Sequence, residues 1–194
     1  KPLDEGVIDK LPKLKWISSL GAGVDHLMGD PQIPSNIPIT RIVDPFLARD
    51  MTNYVIMGLM MYQRSMLTHL NNQKDAHWDR ITYNPLKVGV MGLGALGKYL
   101  AERLVILGFE VYGYSRTQKE IDSVECFAES EKGQFLSNCE VLVNLLPVTP
   151  QTTDILNHDL FSQLPDGAYL INVARGNHLV ERDLIEALDS NKLS

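Results

Sequence analysis

The chain has 194 residues, 44% of them hydrophobic and 22% charged, enough to bury the core of one domain, or of one domain and part of another. A net charge of −6 with no basic block argues against nucleic acid as a partner, and the longest apolar run, residues 54–62, is too short to span a membrane. Its two cysteines, Cys126 and Cys139, have no metal-ligand spacing, and so few thiols suggest a reducing, cytoplasmic setting in which both are buried.

In chain order, Leu3, Val7, Ile8, Leu11 and Leu14 suggest a half-amphipathic helix and its exit within residues 1–15. Residues 16–20 read as a strand, and Gly21-Ala22-Gly23 follows. Glycines on either side of an alanine leave backbone N–H groups uncovered, so this is either a small anion nest or a plain strand-to-helix turn. Asp25 is suited to cap that turn, and His26 reads as structural. Pro31, Pro34 and Pro38 mark a loop before a strand at residues 39–43. Asp44-Pro45 then opens a helical stretch to about Lys74. Residues 54–62 are apolar on every face of that helix and must be buried all round, in a subunit interface or in a domain core. A homodimer through the 50–70 helix is the preferred expectation, with the methionines as packing. Asn84-Pro85 punctuates the chain before the next strand.

Residues 87–117 organise everything around them. Lys87-Val88-Gly89-Val90-Met91 is a short apolar strand. Gly92-Leu93-Gly94-Ala95-Leu96-Gly97 follows at once, then a helix with Leu100, Ala101, Leu104, Val105 and Leu107 at helical spacing. Gly108 stops the helix, and residues 109–114 form a second strand. In that context each glycine has a distinct role. Gly92 makes the tight turn, Gly94 admits a pyrophosphate to the backbone, and Gly97 lets helix and strand pack closely. The helix N-terminus presents free N–H groups and a positive dipole end to the phosphates. An ordinary glycine-rich βαβ turn is the alternative.

The end of the second strand selects the dinucleotide. An NAD site usually carries Asp or Glu there, to bind the ribose 2′-hydroxyl. This chain has Tyr114-Ser115-Arg116-Thr117, with Lys119 close by and no carboxylate to repel a 2′-phosphate. Ser115 and Thr117 can donate hydrogen bonds and the Arg116 guanidinium suits phosphate, so NADP(H) is preferred over NAD(H). Otherwise Arg116 is only a solvated charge.

Further along, residues 124–127 form a short strand and residues 137–146 a buried one. An exit loop at 147–153, a helix at 158–164, a strand at 168–174 ending at Arg175-Gly176, and a helix at 181–190 follow. Alternating strands and helices imply an α/β fold with a doubly wound parallel sheet, whose ligands bind beyond the carboxyl ends of the strands. The glycine loop, residues 115–117, residues 147–153 and Arg175 all fall there.

Together these pieces resemble the D-isomer-specific 2-hydroxyacid dehydrogenases. The resemblance is carried by Leu20-Gly21-Ala22-Gly23-Val24-Asp25, by the turn at 92–97, by Leu145-Leu146-Pro147-Val148-Thr149-Pro150-Gln151-Thr152 and by Asn172-Val173-Ala174-Arg175-Gly176, in the family's order. Residues 114–117 and 164–169 are similar to the glyoxylate/hydroxypyruvate reductase A branch. The resemblance implies that Arg175 is catalytic, holding the substrate carboxylate and keto oxygen, and that the backbone of Ala22 and Gly23 binds the carboxylate. It implies cofactor contact by Gly92, Gly94, Ala95, Leu96 and Gly97, by Ser115, Arg116 and Thr117, by Leu146, Pro147 and Thr152, and by Val173, Ala174 and Arg175. One departure is Asn53, where the family often has Glu.

The implied fold is a Rossmann-type cofactor domain with part of a second, flavodoxin-like substrate domain. Residues 1–43 would be the remaining part of the split substrate domain. Residues 44–194 would be the cofactor domain with its leading long helix, incomplete at its C-terminus. The chain starts at Lys1 and stops soon after a helix, so both ends look cut. The family's acid histidine and its carboxylate partner would lie beyond Ser194. None of His26, His69, His77, His158 or His178 matches that histidine, and His178 falls on a variable loop position. The implied activity is NADPH-dependent reduction of small 2-keto acids, glyoxylate to glycolate and hydroxypyruvate to D-glycerate. The alternatives are an NAD-dependent enzyme for another 2-hydroxy acid and a nucleotide-sensing module without turnover.

Overall fold

The computed structural model describes residues 3–83 and 85–194; Asn84, half of the expected Asn84-Pro85 break, lies outside the described residues, as do Lys1 and Pro2. Residues 5–10 form turns rather than a helix. Val7, Leu11 and Leu14 donate to carbonyls three residues back, Gly6 takes a left-handed φ of +69°, and Pro12 interrupts, so no helical ladder forms.

Strand β1 (Ile17–Ser19) leads to the four-residue helix α1 (Asp25–Met28), and β2 (Ile39–Arg41) pairs in parallel with β1. The long helical stretch is two helices, α2 (Pro45–Gln63) and α3 (Met66–Lys74). Asp44 caps the first, its carboxylate accepting from the Phe46 N–H with Pro45 next to it. Ser65, at a φ of +49°, breaks the helical path between them. Burial of α2 is one-sided. Val55 and Leu59 are fully buried, whereas Tyr54 is 60% and Met57 53% exposed, so this chain alone does not cover the apolar helix on every side.

The remaining elements are β3 (Lys87–Met91), α4 (Ala95–Ile106), β4 (Glu110–Tyr114), β5 (Glu125–Phe127), α5 (Lys132–Ser137), β6 (Val141–Asn144), α6 (His158–Gln163), β7 (Tyr169–Asn172) and α7 (Glu181–Asp189). Their five strands form one parallel sheet in the order β5-β4-β3-β6-β7. The chain winds outward from β3 through β4 to β5, then returns to the other side of β3 for β6 and β7. The topological switch point therefore lies between β3 and β6. The expected doubly wound α/β fold is present.

Both faces of the sheet are buried, as parallel sheets require. Val88, Val90, Val141 and Val143 pack on one face with Leu100, Ala101 and Leu104 of α4 and with Val55 and Leu59 of α2. Met91 and Leu142 point to the other face, against Phe135, Leu136, Leu160 and Phe161. Strand β6 starts later than its sequence suggests, because Phe135, Leu136 and Cys139 are buried by helix α5 and its exit. Cys139 is buried, and burial pushes its thiol well above the ordinary range. Cys126 is only half-buried, contrary to expectation, though burial still raises it. No helix of the described residues is long and apolar enough to cross a membrane.

Candidate active site

Four loops leave the sheet side by side. Met91 lies opposite Tyr114 and Asn144, and Asn144 opposite Asn172, so β3, β4, β6 and β7 end at one level. The glycine turn, residues 115–117, residues 145–152 and residues 173–175 start from that edge.

The glycine turn has the expected geometry. Gly92 has a φ of +111°, and a Cβ there would press on the Leu145 backbone. A Cβ at Gly97 would overlap the Gly92 carbonyl oxygen. At Gly94 no protein atom lies within 4 Å of a Cβ position, so the backbone is open to a ligand. Gly94 is the N-cap of α4 and no side chain caps that end, leaving the first-turn amides, including those of Ala95, Leu96 and Gly97, without intrahelical partners. This cradle fits a pyrophosphate. Beside it Arg116 is exposed and forms no ion pair among the described residues, and Thr117 is exposed too. The Ser115 hydroxyl donates to the Thr117 carbonyl at 2.6 Å, so it shapes its own turn and keeps only acceptor capacity for a ligand.

The loop after β6 is held from within. The Thr152 hydroxyl donates to the Pro147 carbonyl at 2.6 Å and accepts from the Thr149 N–H at 2.8 Å, so it closes the loop. Two residues overlooked in the sequence hold this loop and the Arg175 turn together. Asn144 Nδ2 donates to Asn172 Oδ1 at 3.1 Å, while Asn144 Oδ1 accepts from the Leu146 N–H at 3.2 Å. Asn172 Oδ1 also accepts from the Ala174 N–H, and its Nδ2 donates to the Arg175 carbonyl at 3.0 Å. The sequence signal was available: both asparagines end apolar strands, and Asn144 is fully buried, where a side-chain amide needs partners. His178, also fully buried, approaches the Pro147 carbonyl through Nε2 at 3.3 Å. A carbonyl only accepts, so Nε2 carries the proton. His178 Nδ1 has no partner among the described residues.

Arg175 is drawn to the Gly21–Asp25 segment. Its Nη1 donates to the Ala174 carbonyl at 2.9 Å and its Nη2 to Asp25 Oδ1 at 3.1 Å. The expected capping role of Asp25 is therefore wrong: Val24 is the N-cap of α1 and no side chain bonds there, because the carboxylate faces the guanidinium instead. A Cβ at Gly23 would overlap that guanidinium, which would have to move aside. The Ala22 carbonyl accepts from Arg41 Nη1 at 3.0 Å, and the amides of Ala22 and Gly23 have no partner among the described residues. A fixed cation thus adjoins free backbone donors, an arrangement that receives a carboxylate or a developing oxyanion.

Comparison with known proteins agrees with this geometry. Residues 56–194 match the family described as D-isomer specific 2-hydroxyacid dehydrogenase, NAD binding domain. The chain belongs to this family. Among curated 2-hydroxyacid dehydrogenase relatives, a glyoxylate/hydroxypyruvate reductase A of Yersinia enterocolitica is 39% identical over 94% of this chain and 61% of its own length. Among solved structures, the NADPH-dependent glyoxylate/hydroxypyruvate reductase of Sinorhizobium meliloti, in complex with NADP and sulfate, superposes with a TM-score of 0.91 at 34% identity, over 98% of this chain and 64% of that one. A D-isomer specific 2-hydroxyacid dehydrogenase from Xanthobacter autotrophicus, in complex with NADPH and MES, gives 0.93 at 36% identity, over 98% and 61%. The chain therefore spans about three-fifths of the length of the family members it matches.

Proposed function

We propose that the protein is an NADPH-dependent reductase of small 2-keto acids, taking glyoxylate to glycolate and hydroxypyruvate to D-glycerate in the cytoplasm. The observation that carries this is the approach of Arg175 to Gly23 and Asp25, in the segment where the amides of Ala22 and Gly23 are unpartnered among the described residues, beside the edge that holds the glycine turn. The substrate carboxylate binds the Ala22 and Gly23 amides and the free N–H groups along one edge of the guanidinium. Arg175 also faces the keto oxygen, where negative charge develops as hydride arrives at the carbon. Bound NADPH supplies that hydride. The open backbone at Gly94 and the amides of Ala95, Leu96 and Gly97 would hold its pyrophosphate, with Gly92 making the turn that presents them, and Leu146, Pro147, Thr152, Val173 and Ala174 would border the cofactor. The proton is assigned to no side chain of residues 1–194: His178 is buried and engaged with Pro147. Residues 1–43 belong, on this reading, to a split substrate domain, and residues 44–194 to the cofactor domain.

Arg116, with Thr117, receives the 2′-phosphate of the cofactor, while Ser115, whose hydroxyl donates to the Thr117 carbonyl, shapes the turn. Arg116→Ala is expected to weaken NADPH binding about five- to tenfold, the loss of one exposed charge-assisted contact, and to leave NADH binding unchanged. Titrating both cofactors against wild type and variant tests it, and an equal loss for both overturns it.

The exposed apolar face of α2, with Phe46, Tyr54, Met57 and Met61, pairs two copies of the chain. A charge in such a face leaves an unpaired buried cation, so Met57→Lys is expected to weaken dimerisation by at least about thirtyfold. Sedimentation velocity across a dilution series reads this out. A wild type that sediments as a monomer throughout contradicts it.

A further inference from the structure

We propose that Asp25 is a positioning residue that ties the Arg175 guanidinium to the Ala22–Gly23 amides, so that cation and amides act as one receptor for the substrate carboxylate; this rests on the proposed 2-keto acid reading of that site. Asp25 and Arg175 are 150 positions apart in the chain. One follows β1 and the other follows β7, so nothing local fixes their distance. The guanidinium is gripped at two points, Nη1 on the Ala174 carbonyl of its own turn and Nη2 on Asp25 Oδ1 across the gap. Asp25 is two residues beyond Gly23, whose missing side chain admits the same guanidinium. An arginine has five N–H donors in a rigid fork, and two are used here. Three remain for a ligand, while the plane of the fork is set. Arg175 and Asp25 side chains are 43% and 30% exposed, so the pair borders solvent and is open to a small anion.

The ionisation of Asp25 agrees with this role. Burial pushes its carboxyl up, but its own backbone N–H and the Arg175 guanidinium pull it down further, and it lies below the ordinary carboxylate range. Asp25 is thus charged across neutral pH, and the tie holds there. The role differs from capping α1, which Asp25 does not do, and from touching substrate, which falls to Arg175 and the amides.

Binding of oxamate, a 2-oxo acid amide that is not reduced, to the protein saturated with NADP+ tests the proposal by calorimetry. Wild type, Asp25→Ala, Asp25→Asn and Arg175→Gln are compared, with NADPH affinity measured for each. Arg175→Gln is expected to abolish oxamate binding. Asp25→Ala is expected to weaken it about fivefold through loss of a partly exposed charged hydrogen bond. Asp25→Asn keeps an oxygen acceptor for Nη2 and is expected to restore affinity to within about twofold of wild type, with NADPH affinity unchanged in both Asp25 variants. Wild-type or tighter oxamate binding by Asp25→Ala, with Arg175 still required, overturns the tie and leaves the keto-acid reading standing. Equal loss in the alanine and asparagine variants also overturns it. Binding that is absent in wild type, or indifferent to Arg175→Gln, overturns the keto-acid reading and the tie with it.

Discussion

Replacing Arg175 by glutamine is expected to lower kcat/KM for the proposed glyoxylate reduction by about 10²–10³. Glutamine keeps polarity and approximate reach, but it removes the positive charge and the fork that meets a carboxylate at two points. Part of the loss falls on binding of the substrate carboxylate and the rest on the transition state, because charge on the former keto oxygen grows only as hydride arrives. The fold tolerates the change. The Arg175 side chain borders solvent, and its turn is held by backbone and by Asn172, whose Nδ2 donates to the Arg175 carbonyl rather than to its side chain. Steady-state kinetics of the intact protein, with NADPH titration of the variant, check this. A variant that keeps wild-type kcat/KM removes Arg175 from the chemistry.

Gly97→Ala is expected to destabilise the chain by about 2–3 kcal/mol and to weaken NADPH binding at least about tenfold. The added methyl would meet the Gly92 carbonyl oxygen and carbon, which are backbone and cannot rotate aside. Gly92 is itself held, since its N–H donates to the Tyr114 carbonyl at 2.8 Å. Relief therefore requires α4 to move away from β3, which opens the packing of Leu100, Ala101 and Leu104 against the sheet. Gly94→Ala separates folding from binding. Space around that Cβ is open, so the variant unfolds in urea at the wild-type midpoint, yet the methyl stands where the pyrophosphate approaches and NADPH affinity falls. If both variants bind NADPH like wild type, the turn is not the cofactor cradle.

The proposed cofactor half of the site is legible in the sequence because its geometry is local. Residues 87–114 hold strand, turn, helix and strand in sequence contact, and each glycine's steric role follows from its neighbours in the chain. The doubly wound parallel sheet follows almost as directly, since strands alternating with helices imply one. The substrate half is not local. Asp25 looks like a cap because a carboxylate at a helix start usually is one; the arginine that claims it lies 150 residues on. The tie between Asn144 and Asn172 likewise needs the register of β6 on β7 before it can be seen. His178 is another case, its role visible only once the turn after β7 is folded under Pro147. Elsewhere periodicity misleads: the apolar spacing of residues 3–14 suits a helix, but Gly6 and Pro12 impose turns. In residues 54–62 composition hides a one-sided helix, whose outer face is solvent-exposed in the single chain.

The most direct measurement is the glyoxylate-dependent oxidation of NADPH by the intact protein, run beside NADH under the same conditions. Turnover is expected to require glyoxylate, with kcat/KM at least about tenfold higher for NADPH, because a site built for a 2′-phosphate then meets a cofactor that carries it. A preference for NADH, or NADPH oxidation that does not respond to glyoxylate, would contradict it.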